Sequence, residues 1–154
     1  MKIPEIKDIA VEFINSLHIK FSSLIVEKKD ERIWINIIPQ NDIPKLIGYR
    51  GQNINAMQTI LTLILLNKGI SKEEFIVFDI DGYKKQNEDK IIKIIQQKIK
   101  NIEKYKESQV MPFLGPQERR MVHLYIHLHY QNYVSESFTD ERDRTKRILK
   151  ISKK

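Results

Sequence analysis

The chain of 154 residues contains no cysteine, which excludes a disulfide framework, a thiolate metal site and a cysteine nucleophile. It also lacks an apolar run of membrane length. The longest, Ile60 to Leu66, is broken by Thr62 and falls far short of the roughly 20 residues that span a bilayer. The opening Met1-Lys2-Ile3-Pro4-Glu5 lacks the charged-then-apolar order of a secretory signal. A cytoplasmic protein without membrane insertion is therefore expected. No internal repeat or low-complexity segment stands out, and 41% hydrophobic with 31% charged residues is an ordinary soluble composition.

Acidic residues are nearly missing from one end. From Arg142 to Lys154 seven cations face a single acid, Asp143, so almost all of the formal net charge of +7 lies in that segment. Charge concentrated in this way points to a polyanionic partner.

The hydrophobic spacing predicts an α+β fold in two parts. Ile6, Ile9, Ala10, Phe13, Ile14 and Leu17 follow Pro4 as one stripe of an amphipathic helix. Phe21 to Val26 and Arg32 to Ile38 are expected as strands of a hairpin turning at Lys28-Lys29-Asp30-Glu31. Asp42 is placed to cap a short helix over Ile43 to Ile47. A helix from Gln52 to Asn67 carries Ile54, Met57, Ile60, Leu61, Ile64 and Leu65, and a buried strand spans Phe75 to Ile80. Lys84 to Tyr105 forms a long helix with Ile91, Ile92, Ile95, Ile99 and Ile102 on one face. Beyond it a rigid connection, Met111 to Pro116, leads to a helix ending at His129 and to strands over Tyr133 to Phe138 and Arg147 to Ile151. The expected division is 1–106 and 107–154, with the smaller part docked on the larger.

Between the short and long helices lies Gly48-Tyr49-Arg50-Gly51. Two glycines let main chain approach phosphates closely, Arg50 supplies charge, and the next helix begins with unpaired N–H groups suited to an anion. A helix C-cap with a tight connection is the structural alternative for the same residues. The run Leu46-Ile47-Gly48-Tyr49-Arg50-Gly51-Gln52-Asn53-Ile54-Asn55-Ala56-Met57-Gln58, with Asp79-Ile80-Asp81-Gly82-Tyr83-Lys84 later, resembles a type II KH domain in the Jag family, also called KhpB, EloR or SpoIIIJ-associated protein. Arg119-Arg120-Met121-Val122-His123 is similar to the Arg-x-x-x-His signature of that family's second, single-stranded nucleic-acid-binding domain. The family's separate N-terminal Jag domain has no counterpart here. Thr139 stands where the family has glycine, and Tyr49 where it usually has a basic residue.

The resemblance implies a non-enzymatic protein that binds single-stranded RNA through Gly48, Tyr49, Arg50 and Gly51, with Arg119, Arg120, His123, Arg144 and Arg147 adding contacts. His127 and Tyr130 extend the helix stripe of His123 and are candidates for base stacking, half-buried packing being the alternative. The groove beside the turn would be lined by Ile43, Ile47, Ile54 and the second strand. The resemblance also implies a small KH-only partner protein and a role as post-transcriptional regulator or RNA chaperone in cell elongation, division and envelope synthesis. Two other classes remain: a ribonuclease using His123 or His127, and a protein-interaction adaptor that has lost RNA binding. No cofactor is expected. His123, His127 and His129 make no metal set, because Leu124 and Tyr125 stand where H-E-x-x-H chemistry needs a carboxylate.

Overall fold

The computed structural model describes residues 1–29 and 31–154, and the chain divides into two compact units, Met1–Lys85 and Gln86–Lys154. In the first unit α1 (Ile3–Ser16) leads into β1 (Phe21–Lys29) and β2 (Arg32–Pro39), which pair antiparallel. Asp30 of the expected hairpin turn lies outside the described residues. β2 also pairs in parallel with β3 (Phe75–Ile80), so the sheet order is β1-β2-β3. Parallel neighbours need a long crossover. Here it consists of α2 (Ile43–Ile47), a single 3₁₀ turn at Tyr49–Gly51, and α3 (Gln52–Asn67), so the glycine turn is the corner of that crossover.

Ile33, Ile35 and Ile37 alternate onto one sheet face and meet Ile6, Ala10, Phe13 and Ile14 of α1 and Ile54, Leu61 and Leu65 of α3. The predicted α3 stripe is too broad. Gln58 is buried in it, whereas Ile60 is 49% exposed. Gln58 is there to serve the backbone: its Oε1 accepts from the Phe78 N–H at 3.0 Å and from Lys84 Nζ at 2.5 Å. Burial pushes the Lys84 amine down to about 8, opposed by the Asp79 carboxylate. β2 is buried on its second face as well, where the Arg32 guanidinium lies 5.0 Å from the Trp34 ring.

α4 (Tyr83–Tyr105) runs almost wholly in the second unit. The chain divides at Lys85 and Gln86 rather than at 106, because Ile91, Ile95, Ile99 and Ile102 pack against Met111, Leu114, Met121, Val122, Ile126, Leu149 and Ile151. The far end of α4 is tied in by Glu103, which accepts from the Tyr133 hydroxyl and, at 2.9 Å, from Lys153 Nζ. After a two-residue strand the sequence had not indicated, β4 (Gln109–Val110), come α5 (Pro116–His129), β5 (Tyr133–Thr139) and β6 (Arg147–Lys153). The three strands form an antiparallel sheet in the order β4-β6-β5. α5 starts as its sequence demands: Pro116 takes the first helical position and Glu118 Oε2 accepts from the Gly115 N–H at 2.7 Å.

Candidate nucleic-acid interface

α2 stops at Gly48, whose N–H bonds Pro44 O at 2.9 Å. Gly48 has φ +75° with ψ 175°, a region open to glycine almost alone. Arg50 at φ 50° and Gly51 at φ +76° complete a sharp corner, closed by the Gly51 N–H on Gly48 O at 3.1 Å. The corner leaves its two middle side chains outside. Tyr49 is 70% exposed, and the exposed Arg50 holds its guanidinium 5.2 Å from the Tyr49 ring, a cation–π contact that presents charge and aromatic face together. α3 starts immediately afterwards with Gly51 as N-cap; its first N–H, that of Gln52, bonds Tyr49 O, and no side-chain cap takes up the N–H groups that follow, which suit an anion.

Asn53 fixes this corner and is not among the expected site residues. Its Nδ2 donates to Lys45 O at 2.7 Å, tying the first turn of α3 to the end of α2. A β-carbon on Gly48 would lie only 2.7 Å from Asn53 Cγ, so Gly48 is required by contact as well as by conformation. The signal was an amide-bearing residue just beyond the second glycine.

Two neighbouring expectations change. Asp42 precedes α2 with φ 61° and makes no side-chain cap bond, so it starts the helix by turning the chain rather than by capping. Ile54 is fully buried in the core, leaving half-buried Ile43 and Ile47 as the predicted groove residues with any exposure on α2. Asp79 is also structural: Oδ1 accepts from Ile80 N and Lys84 N, each at 2.8 Å, and Oδ2 from Lys85 N at 3.2 Å, which caps the start of α4.

In the second unit α5 sets His123 against β5. Nδ1 lies 2.7 Å from Ser135 Oγ and Nε2 lies 2.9 Å from Ser137 Oγ, so both ring nitrogens are engaged. Burial lowers the His123 pKa below the usual 6.5; a bond to the Ser135 backbone opposes this and the nearby Arg119 charge reinforces it. Arg119 donates from Nη1 to Leu114 O at 2.8 Å, and Arg147 donates from Nη2 to Ser137 O at 3.1 Å. Ser137 thus joins His123 and Arg147 in one polar group, with Arg119 beside it. Those serines were not among the predicted site residues.

Arg120 is exposed on α5, and Arg144 is exposed in the turn between β5 and β6. His127 is exposed, but Tyr130 packs: its ring stands 6.1 Å from Tyr125 and 6.0 Å, edge-on, from Tyr133. Packing is the structural account of Tyr130, and desolvation raises its hydroxyl pKa.

Residues 7–77 match the family model described as the KH domain of KhpA/KhpB. The match takes in most of the first unit, which has the architecture of a KH domain. Its glycine corner, uncapped α3 and parallel β2–β3 crossover are the KH elements, in the order helix, strand, strand, helix, turn, helix, strand. The chain is also 23% identical over 122 residues to an RNA-binding protein KhpB of Clostridium symbiosum, covering 77% of this chain and 54% of the relative. The chain spans about half the length of that curated relative. Among the described residues, no helix is long and apolar enough to cross a membrane.

Proposed function

We propose that the protein binds single-stranded RNA without turning it over, the KH corner holding the backbone and the second unit adding Arg119, Arg120, Arg144, Arg147 and the polar group around His123. The observation that carries this reading is the corner itself: an exposed Tyr49–Arg50 pair between two positive-φ glycines, directly before an uncapped helix. KH domains clamp about four nucleotides at such a turn. Two modest sites on one chain reinforce each other, since the second contact is intramolecular once the first has formed. The resemblance to the Jag family extends the proposal to a cytoplasmic post-transcriptional regulator or RNA chaperone acting in cell elongation, division and envelope synthesis.

Incubation with end-labelled single-stranded RNA tests the reading against a ribonuclease. Intact RNA retained on the protein is expected, and His123→Ala should leave the RNA equally intact. Cleavage that disappears in His123→Ala or His127→Ala would sink it. The His123 ring is a poor proton shuttle where it sits, with a serine hydroxyl on each nitrogen. Its lowered pKa also fixes the pH behaviour. Burial disfavours the charged ring, so His123 should add no pH dependence to affinity between about pH 7 and 8. On acidification below the free-histidine value of 6.5, folding of the second unit should weaken as pH falls through the lowered pKa, because the folded state resists the charge.

The partner implied by the resemblance, a small KH-only protein, has a surface available on the solvent side of α3, where Ile60 and Leu63 are 49% and 60% exposed. Leu63→Glu should abolish co-elution with such a partner and leave the melting curve unchanged. Undiminished co-elution would remove α3 as the contact.

A further inference from the structure

The sheet of the second unit has two unlike faces. Ser135, Ser137, Leu149 and Ile151 point toward the helices, as the His123 bonds and the buried Leu149 and Ile151 establish. The alternate positions fall on the opposite face. Register there sets Phe138 beside Ile148, Glu136 beside Lys150 and Val134 beside Ser152, and β4 places Val110 next to Lys150. Phe138 is 40% exposed and Val110 is 48% exposed.

This face carries charge of a particular kind. Lys150 Nζ lies 6.0 Å from the centroid of the Phe138 ring. The turn just beyond Phe138 and Ile148 holds exposed Arg142 and Arg144, while Lys146 is paired with Asp143 at 2.9 Å. Glu136, Asp140 and Glu141 at the same end temper the field, so it is too mixed to act as a phosphate clamp alone. A protein interface is a poor fit as well. Stable interfaces take about 800 Å² from each partner, and only two apolar side chains of this face stand well out into solvent. An aromatic ring with a lysine over one face and arginines at one end suits unpaired bases on its other face, because every base offers a stacking surface and the flanking phosphates need only a few cations.

We infer that the open face of β4-β6-β5 is a stacking platform for one or two unpaired RNA bases, with Phe138 under a base and Lys150, Arg142 and Arg144 on the neighbouring phosphates. It rests on the chain being an RNA binder, and it adds a surface on the side of the sheet away from His123.

The test titrates the full chain with a single-stranded oligouridylate. F138W should show fluorescence quenching as a base stacks on the indole, over the constant background of buried Trp34. Phe138→Ala should bind about ten-fold more weakly, the size expected for one lost stack, with an unchanged thermal melt. If wild type binds while Phe138→Ala binds equally well and F138W is not quenched, the platform fails and the KH reading stands. If wild type does not bind, both fail. If Phe138→Ala loses self-association or a protein contact while RNA affinity is intact, the face is a protein surface and the inference is overturned.

Discussion

Gly48→Ala is expected to destabilise the KH unit by about 2–4 kcal/mol and to weaken RNA binding with it. Two costs combine. Holding a non-glycine residue at φ +75° with ψ 175° costs about 1–3 kcal/mol, and the new methyl would sit 2.7 Å from Asn53 Cγ. Asn53 must then move, giving up its bond to Lys45 O, worth about 1 kcal/mol. That loss is a large share of the stability of an ordinary domain. Gly51 gives the internal comparison: its added β-carbon would meet Ile54 and Tyr83 at an ordinary 3.5 Å, so Gly51→Ala pays only for the left-handed backbone, about 1–2 kcal/mol. Urea denaturation of both variants checks the ranking, and equal stability for Gly48→Ala and Gly51→Ala would refute the contact argument. In a double-mutant cycle, Asn53→Ala should relieve part of the Gly48→Ala cost, because it removes the two closest contacts, with Asn53 Cγ and Nδ2, and leaves the backbone strain and the 3.0 Å approach to the β-carbon at position 53.

The second large effect is on binding. Tyr49→Asp with Arg50→Asp should lower affinity for single-stranded RNA by about ten-fold or more and reduce the salt dependence by about one phosphate contact. Both side chains are exposed and neither belongs to the core, so the fold should survive the change. Aspartate also suits position 50, where φ is 50°, since it tolerates the left-handed region better than most residues. A filter-binding series across salt concentrations measures both quantities. Unchanged affinity and slope would show that the corner is not the RNA site and would favour the adaptor reading. Comparison with Phe138→Ala separates a backbone contact from a stack: the first should flatten the salt dependence, whereas the second should lower affinity at every salt concentration.

Much of the fold was legible because it is written locally. Pro116 and Glu118 start α5, and its end at His129 was expected from the same pattern. The α3 bounds, Gln52 to Asn67, follow from a glycine on one side and Lys68-Gly69 on the other. The glycine corner was legible for the same reason, since conformations at positive φ leave a residue-type signature. Side-chain partnerships were not. Asn53 with Lys45 O, and His123 with Ser135 and Ser137, depend on two elements being brought together, and spacing along one of them carries no information about the other. The same limit applies to Ile60 and Ile54. Both lie on the apolar side of α3 by periodicity, yet one is half in solvent and the other fully buried.

The amino-acid sequence by itself therefore determined the helices and strands other than β4, their order, the corner between α2 and α3 and the resemblance to a KH domain, because each rests on local periodicity, capping or glycine freedom. Only the tertiary structure decided which core takes the apolar face of α4, that Asn53 braces the corner, that Asp42 makes no cap bond to α2, and that His123 spends both ring nitrogens on serines. An amphipathic helix states that it must bury a face, and the surface that fills that face is chosen by packing. For α4 that surface is Met121, Val122, Leu149 and Ile151, all beyond the boundary at 106 that the sequence suggested.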